Sequence, residues 1–260
     1  MPRTVVITGA ASGIGKATAE LLTQRGERVI GVDIRDTDVV ADLATAAGRE
    51  QMVAEVSTLS GGKIDAIIAN AGLATPTALT VSVNYFGAVE TLTGLRPLLA
   101  KSKAPRAVVT VSMASLFPPD EPLLDALVAG DEPAALIRGR ELEAAGGDAA
   151  NLIYGTTKRA LVRWVRRNAA GPEWAGAGIP LNAVAPGVVE TPMTEAFTST
   201  TEAREAILKM VPMPLGGIFQ PQDVAYLMAW LTSVENAHLC GQIVFIDGGS
   251  DAVIRGESNW

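Results

Sequence analysis

The chain has one cysteine, Cys240, and one histidine, His238. A single thiol builds neither a disulfide framework nor a cysteine metal site within the chain, so no metal is expected. A histidine-based triad would depend wholly on that one imidazole near the C-terminus, and the His238/Cys240 neighbours read as a chance surface pair. No apolar run approaches the ~20 residues of a membrane-spanning helix. The opening MPRTVVITGA passes from a short apolar run into a glycine turn, the pattern of a first strand and not of a signal peptide. A soluble, cytoplasmic protein is the expectation. Basic charge is short as well: 21 Lys and Arg stand against 28 Asp and Glu, for a net charge of −7, which argues against a nucleic-acid partner. The densest basic cluster, Arg159, Arg163, Arg166 and Arg167, reads as a solvated helix face.

Apolar material is plentiful. Of 260 residues 48% are hydrophobic and 19% charged, enough for a sizeable core. Short, β-branched runs at residues 4–8, 28–32, 66–70, 107–112, 179–184 and 242–246 alternate with helical patterns at 15–24, 81–99, 154–169 and 221–231. Several of the runs are continuously apolar, as strands buried on both faces are in a parallel sheet. The alternation predicts an α/β fold, a doubly wound parallel sheet with helices on both faces. Without a repeat, low-complexity tract or linker, a single domain over 1–260 is expected.

Two long stretches interrupt the alternation, residues 113–150 and 188–219. The first carries its own helical patterns at 122–129 and 133–144. Both leave the carboxyl ends of expected strands, where open α/β sheets bind ligands, so both are expected to wall the pocket.

After the first strand comes Thr8-Gly9-Ala10-Ala11-Ser12-Gly13-Ile14-Gly15, opening a helix. Glycines at 9, 13 and 15 permit a tight turn and bring a pyrophosphate close to free N–H groups. The GxxxGxG spacing differs from the commoner GxGxxG, and such a turn could be a plain strand–helix connection; the strand before and helix after favour the cofactor reading. Asp33 closes the second strand, 18 residues beyond Gly15. An acid there accepts from ribose hydroxyls and repels a 2′-phosphate. Arg35 could instead welcome that phosphate, but Asp33 holds the strand end, and NAD(H) is expected over NADP(H).

Tyr154 and Lys158 lie four apart, one turn along a helical face. Taken alone, the pair fits a snorkelling lysine beside a half-buried tyrosine as well as a phenol tuned to move protons. Together with TGAASGIG at 8–15, Asn70-Ala71-Gly72, Ser112, Pro186-Gly187 with Thr191, and Gly241 with Asp247-Gly248-Gly249, it resembles the short-chain dehydrogenase/reductase superfamily over nearly the whole chain. The resemblance implies a Rossmann-type sheet and a set of roles. Tyr154 would be the general acid/base, Lys158 would lower its pKa and hold the nicotinamide ribose, and Ser112 would bind the reacting oxygen, with Ser115 as a nearby rival. Asn84 would hold a water beside the lysine. Thr8, Gly9, Ser12, Gly13, Ile14, Gly15, Asp33, Asp42, Leu43, Asn70, Ala71, Gly72, Pro186, Gly187, Val189 and Thr191 would line the cofactor. Ser112, Met113, Tyr154 and Met193 would touch substrate.

Two departures narrow the resemblance. Asp42 follows Asp33 by only nine residues, so the usual helix and strand between them is trimmed; Ser112 and Tyr154 are 42 residues apart, so roughly 30 have been inserted. With VDIRDTDVVADL and SVNYFGA, these features look like the bacterial 3α-hydroxysteroid dehydrogenase/carbonyl reductase branch. The insertion would block the helix contact used in many tetrameric relatives, and a homodimer through another surface is expected. Met113, Leu116, Phe117, Pro118, Met193, Phe197, Met210, Met213 and Leu215 suit a bulky hydrophobic alcohol or ketone, although about half could be ordinary core. A steroid 3α-alcohol leads, with terpenoid, aryl and cyclic alcohols as alternatives. A non-catalytic NAD-binding sensor is the remote alternative, disfavoured because Asn84, Ser112, Tyr154 and Lys158 are all present. A hydrolase lacks a GxSxG context around Ser112.

Overall fold

The computed structural model describes residues 2–257. The elements in chain order are β1 (Thr4–Thr8), α1 (Gly13–Gln24), β2 (Arg28–Asp33), β3 (Val39–Val40), α2 (Ala46–Ser60), β4 (Ala66–Ala69), α3 (Ala78–Val81), a π-helical turn (Ser82–Gly87), α4 (Ala88–Leu99) and β5 (Arg106–Thr110). A 3-10 turn (Met113–Leu116) leads to α5 (Glu121–Ala129), α6 (Glu132–Ala145), α7 (Gly147–Asn168), β6 (Leu181–Pro186), α8 (Glu195–Thr198), α9 (Thr201–Met210), α10 (Pro221–Leu231), β7 (Ile243–Ile246) and α11 (Ser250–Arg255). The seven strands form one sheet in the order β3-β2-β1-β4-β5-β6-β7, and every pairing is parallel. All residues of β1, β4, β5 and β6 are buried, because one apolar cluster covers each face of the sheet. The order reverses between β1 and β4, and that crevice is where a doubly wound sheet takes its ligand.

Among the elements not foreseen from sequence, β3 and α2 bear on the crevice. The strand β3 has only two residues, too few for a periodicity to register. The face that α2 buries includes Gly48 and Arg49 beside Met52 and Val56, so its apolar stripe is broken. Between β2 and β3 run only residues 34–38, far short of the dozen or more usual for a parallel crossover. Asp36 turns the chain at a left-handed φ of 53°, which aspartate tolerates. The Asp38 carboxylate accepts from Gly31 N at 2.8 Å, and the Thr37 hydroxyl donates to the Val39 carbonyl. This clamped turn delivers Asp42 and Leu43 to the crevice directly.

The expected helix at 81–99 is instead α3, the π-turn and α4 in succession, and α7 starts at Gly147, seven residues before Tyr154. Within 113–150, Asp120 and Asp131 cap α5 and α6 through their side chains, each with a proline in the first turn. Leu123, Leu124 and Leu127 of α5 and Ala135 of α6 are fully buried. The two helices pack on α7, and α6 also reaches α3.

Candidate active site

The carboxyl ends of β1, β2, β4, β5 and β6 open into one cleft of about 660 Å³. At its glycine turn, Gly9 and Gly13 adopt left-handed φ values of 72° and 53°. A Cβ on Gly13 would come within 3.2 Å of Thr191 Cγ2, so the bare backbone there leaves the opening between the first turn of α1 and the loop after β6. The first N–H groups of α1 lack intrahelical partners, as in any helix, and the Ser12 side chain does not cap them.

Asp33 borders the same cleft. Its Oδ2 accepts from Ala11 N at 3.0 Å and its Oδ1 from Ile34 N at 2.7 Å, which fixes the carboxylate against the glycine turn. Arg35, Asp42 and Leu43 also line the wall. Asn70 accepts from the Thr110 hydroxyl at 2.9 Å, tying the ends of β4 and β5 together.

Ser112, Tyr154 and Lys158 converge on the cleft from two elements. Ser112 follows β5 and caps the 3-10 turn by accepting from Ala114 N at 3.1 Å. Tyr154 and Lys158 come from α7. The Lys158 ammonium, 3% exposed, donates to the Thr110 carbonyl at 2.9 Å and lies 5.8 Å from the Tyr154 ring centroid. Burial lowers the lysine from its ordinary 10.5 to about 8, because a desolvated ammonium prefers to lose its proton. Burial pushes the Tyr154 phenol above 10.0, while its hydrogen bond with Ser112 pulls the other way. Burial prevails here over the downward shift expected from sequence.

Asn84 sits in the π-turn. Its Oδ1 accepts from Leu73 N at 2.7 Å, and its Nδ2 donates to Leu73 O at 2.9 Å and to the Thr157 hydroxyl at 3.3 Å. The side chain thus braces the Leu73 backbone much as a neighbouring strand would. Oδ1 and Lys158 Nζ both flank Gly72, where an added Cβ would stand 3.2 Å and 3.4 Å from them.

Not every expected residue reaches the cleft. The Thr8 hydroxyl accepts from Asn70 N and Ala71 N, each at 3.0 Å, and stitches β1 to the loop after β4 from behind. Gly15 is buried, since a Cβ there would stand 2.1 Å from the Gly9 carbonyl oxygen. Met113 is 3% exposed and packs with Val188, Val211 and Met213 beneath the wall. The remaining expected cofactor and substrate residues, Met193 included, line the cleft.

The larger correction concerns residues 113–150, expected to wall the pocket. None of them lines the cleft, because the apolar faces of α5 and α6 are spent on the helical layer around α7. Only the second long segment contributes a wall, through Val189 and Thr191–Thr194. Sequence reasoning missed Leu73, Leu79, Val83, Pro192 and Thr194, which also line the cleft. Nothing marks such residues before the π-turn and the 188–194 loop are known.

Comparison with known proteins agrees with this architecture. A family model described as enoyl-(acyl carrier protein) reductase matches residues 9–251. The chain is 41% identical over 256 residues to a 3-alpha-hydroxysteroid dehydrogenase/carbonyl reductase of Comamonas testosteroni, covering 96% of this chain and 97% of the relative. A crystal structure of 3-alpha-hydroxysteroid dehydrogenase from Pseudomonas sp. B-0831 complexed with NADH superposes with a TM-score of 0.89 at 38% identity, covering 98% and 99% of the two chains. A putative NAD(P)-dependent gluconate 5-dehydrogenase from Beutenbergia cavernae with bound NADP gives 0.75 at 26% identity, covering 96% and 97%. The expected family is thereby shown: the chain is an oxidoreductase of the short-chain dehydrogenase/reductase family.

Proposed function

We propose that the protein is a cytoplasmic NAD(H)-dependent dehydrogenase that interconverts a bulky hydrophobic secondary alcohol and its ketone, with a 3α-hydroxysteroid as the first candidate. The observation that carries the proposal is the convergence of Ser112, Tyr154 and Lys158 on the cleft that Asp33 and the glycine turn also border. The steroid assignment rests on similarity to the Comamonas and Pseudomonas proteins, supported by apolar Leu73, Leu79, Val83, Pro192 and Met193 in the lining.

A dinucleotide fits the residues present. The uncapped start of α1 and the Cβ-free turn at Gly13 suit a pyrophosphate, and Asp33 is held where a ribose diol would meet its free lone pairs. Asp33 favours NAD(H), since a 2′-phosphate beside a carboxylate would be repelled. When bound, the nicotinamide supplies the hydride acceptor or donor and, oxidised, a positive charge. Ser112 orients the reacting oxygen. Tyr154 takes the hydroxyl proton as phenolate during oxidation and returns it as phenol during reduction. Lys158 favours the phenolate through its charge. Together with Asn84 Oδ1 it offers a place for a water at Gly72. Val189 and Thr191 would hold the carboxamide, and Met193 would cover the substrate.

We further propose a homodimer. Helices α5 and α6 occupy the outer side of α7, whereas α10 exposes Tyr226 and Trp230 and the edge strand β7 keeps Ile243–Ile246 only partly buried.

The test is turnover with NAD+ and NADP+ across steroid, terpenoid, aryl and cyclic secondary alcohols. Fastest reduction of NAD+ with a 3α-hydroxysteroid is expected. Turnover of none of these alcohols with either cofactor would overturn the reading.

A further inference from the structure

Residues 113–150 do not line the cleft, yet the Arg49 side chain ties their α6 to its wall. Arg49, in the first turn of α2, is 2% exposed. Its Nη1 and Nη2 donate to the two carboxylate oxygens of Glu132 at 3.0 Å and 2.7 Å, and its Nε lies 2.7 Å from Glu90 Oε2. Nη1 also points to the Leu43 carbonyl at 3.5 Å. One guanidinium therefore joins α2, the start of α4, the start of α6 and the Asp42-Leu43 turn.

Stability alone does not explain this arrangement. A cation in the first turn opposes the helix dipole, and a buried ion pair is often no better than apolar packing of the same volume. The node lies where accuracy is needed. Leu43 borders the cleft, and its far side is held tightly. A Cβ on Gly87 would stand 3.1 Å from Leu43 Cβ, and one on Gly48 would stand 2.0 Å from the Asp42 carbonyl oxygen. The Thr45 hydroxyl donates to that same Asp42 oxygen at 3.2 Å. The turn thus hangs between the π-turn and the start of α2, and α2 is anchored through Arg49.

We infer that Arg49 is a positioning residue for the adenine half of the dinucleotide, oriented by Glu132 from the 113–150 segment. This rests on the dinucleotide reading above: with Asp33 at the ribose, the adenine would lie against the part of the cleft wall that Asp42 and Leu43 line. On this account the segment serves the cofactor end of the reaction, through an ion pair, and not the pocket wall.

The experiment uses the full chain and two probes, NADH and ADP-ribose, titrated calorimetrically into wild type, Glu132→Gln, and the double variant Arg49→Met/Glu132→Leu. Both variants should bind ADP-ribose and NADH about tenfold more weakly, a difference of about 1.4 kcal/mol. The loss should appear in KM for NAD+ and not in kcat. Glu132→Gln should lower Tm, because it leaves the guanidinium short of charge. The double variant should recover Tm without recovering affinity, a separation that a purely structural node would not produce. Binding of ADP-ribose by both variants within about twofold of wild type, where wild type binds both probes, would overturn this inference alone. Failure of wild type to bind either probe would overturn the dinucleotide reading and this inference with it.

Discussion

Lys158 Nζ lies 5.8 Å from the centroid of the Tyr154 ring, one turn along α7, and is tied to the Thr110 carbonyl at 2.9 Å. The lysine is thus held by β5 and aimed past the phenol, so its influence on Tyr154 is through charge. Tyr154→Phe removes the proton carrier without disturbing that arrangement. Turnover is expected to fall by about 10²–10⁴, with NADH binding, followed by fluorescence, within about twofold. Full turnover in this variant would refute the assignment of the acid/base.

The same burial has a thermodynamic cost. The Lys158 pKa is about 8 in the folded chain against 10.5 for an ordinary lysine. Between those values the unfolded chain binds more protons, so this group's contribution to stability rises with pH across that window. Below about pH 8 the full penalty of burying the ammonium is present. Tyr154, raised above 10.0, does not titrate until higher pH. Lys158→Met should therefore abolish turnover yet stabilise the cofactor-free protein at pH 7 by about 1–3 kcal/mol, and the advantage should shrink by pH 10. Melting curves at the two pH values decide it; a less stable Met variant at pH 7 would contradict the sign.

The sheet was legible because β1, β4, β5 and β6 are buried on both faces and are mostly apolar, with Thr4, Thr8, Arg106, Thr110 and Asn182 as the buried polar exceptions. The site was legible where chemistry restricts residue type, as at Gly9, Gly13, Asp33, Ser112, Tyr154 and Lys158. What escaped is set by packing partners. Nothing in the sequence says that α5 and α6 turn their leucines toward α7 and away from the cleft. Met113, an apolar neighbour of Ser112, could equally have faced substrate, and only Val188, Val211 and Met213 beneath it decide otherwise. Arg49 escaped for the converse reason: a charge on a buried helix face hides the helix from a search for apolar stripes.

Cofactor choice can be probed at the end of β2. Asp33 and Arg35 both line the cleft, so removing the carboxylate leaves a cation already in place for a 2′-phosphate. Asp33→Ser should raise kcat/KM for NADP+ relative to NAD+ by about 10–10³-fold, the size of removing a close charge repulsion. An unaltered ratio would show that neither residue reads the 2′ position.

The loop after β6 is fastened to α9. Arg204 pairs with Glu190 at 2.5 Å and donates to the Thr198 carbonyl at 2.7 Å, while Gln220 holds the other Glu190 oxygen at 2.9 Å. Both partners of the ion pair are over a third exposed, so it contributes little to global stability, about 0–1 kcal/mol. Glu190 lies between Val189 and Thr191 in the loop that borders the cleft. Arg204→Gln should therefore leave Tm nearly unchanged and raise KM for a bulky ketone by about three- to tenfold, as looser covering elements do. A small ketone should be less affected. Equal effects on both ketones would argue against a covering role.

Assembly offers the remaining test. Tyr226 and Trp230 are four apart on the outer face of α10 and are 52% and 46% exposed. On the same side of the sheet, Leu227 and Ile246 pack against a common buried cluster, which places the α10 face near the edge strand β7. Paired aromatics beside a partly covered apolar strand form the kind of patch that a monomer seldom leaves to solvent, and a two-fold axis would bury the same residues from both copies. Helices α5 and α6 already pack on α7, whose remaining outer face carries exposed Arg163, Arg166 and Arg167. Trp230→Glu should therefore convert the expected dimer to monomer in light scattering, because a carboxylate at the centre of such an interface costs about 2 kcal/mol or more. An Arg159→Glu control on α7 should remain dimeric. If the α7 variant dissociated and the α10 variant did not, the Tyr-bearing helix would be the interface after all.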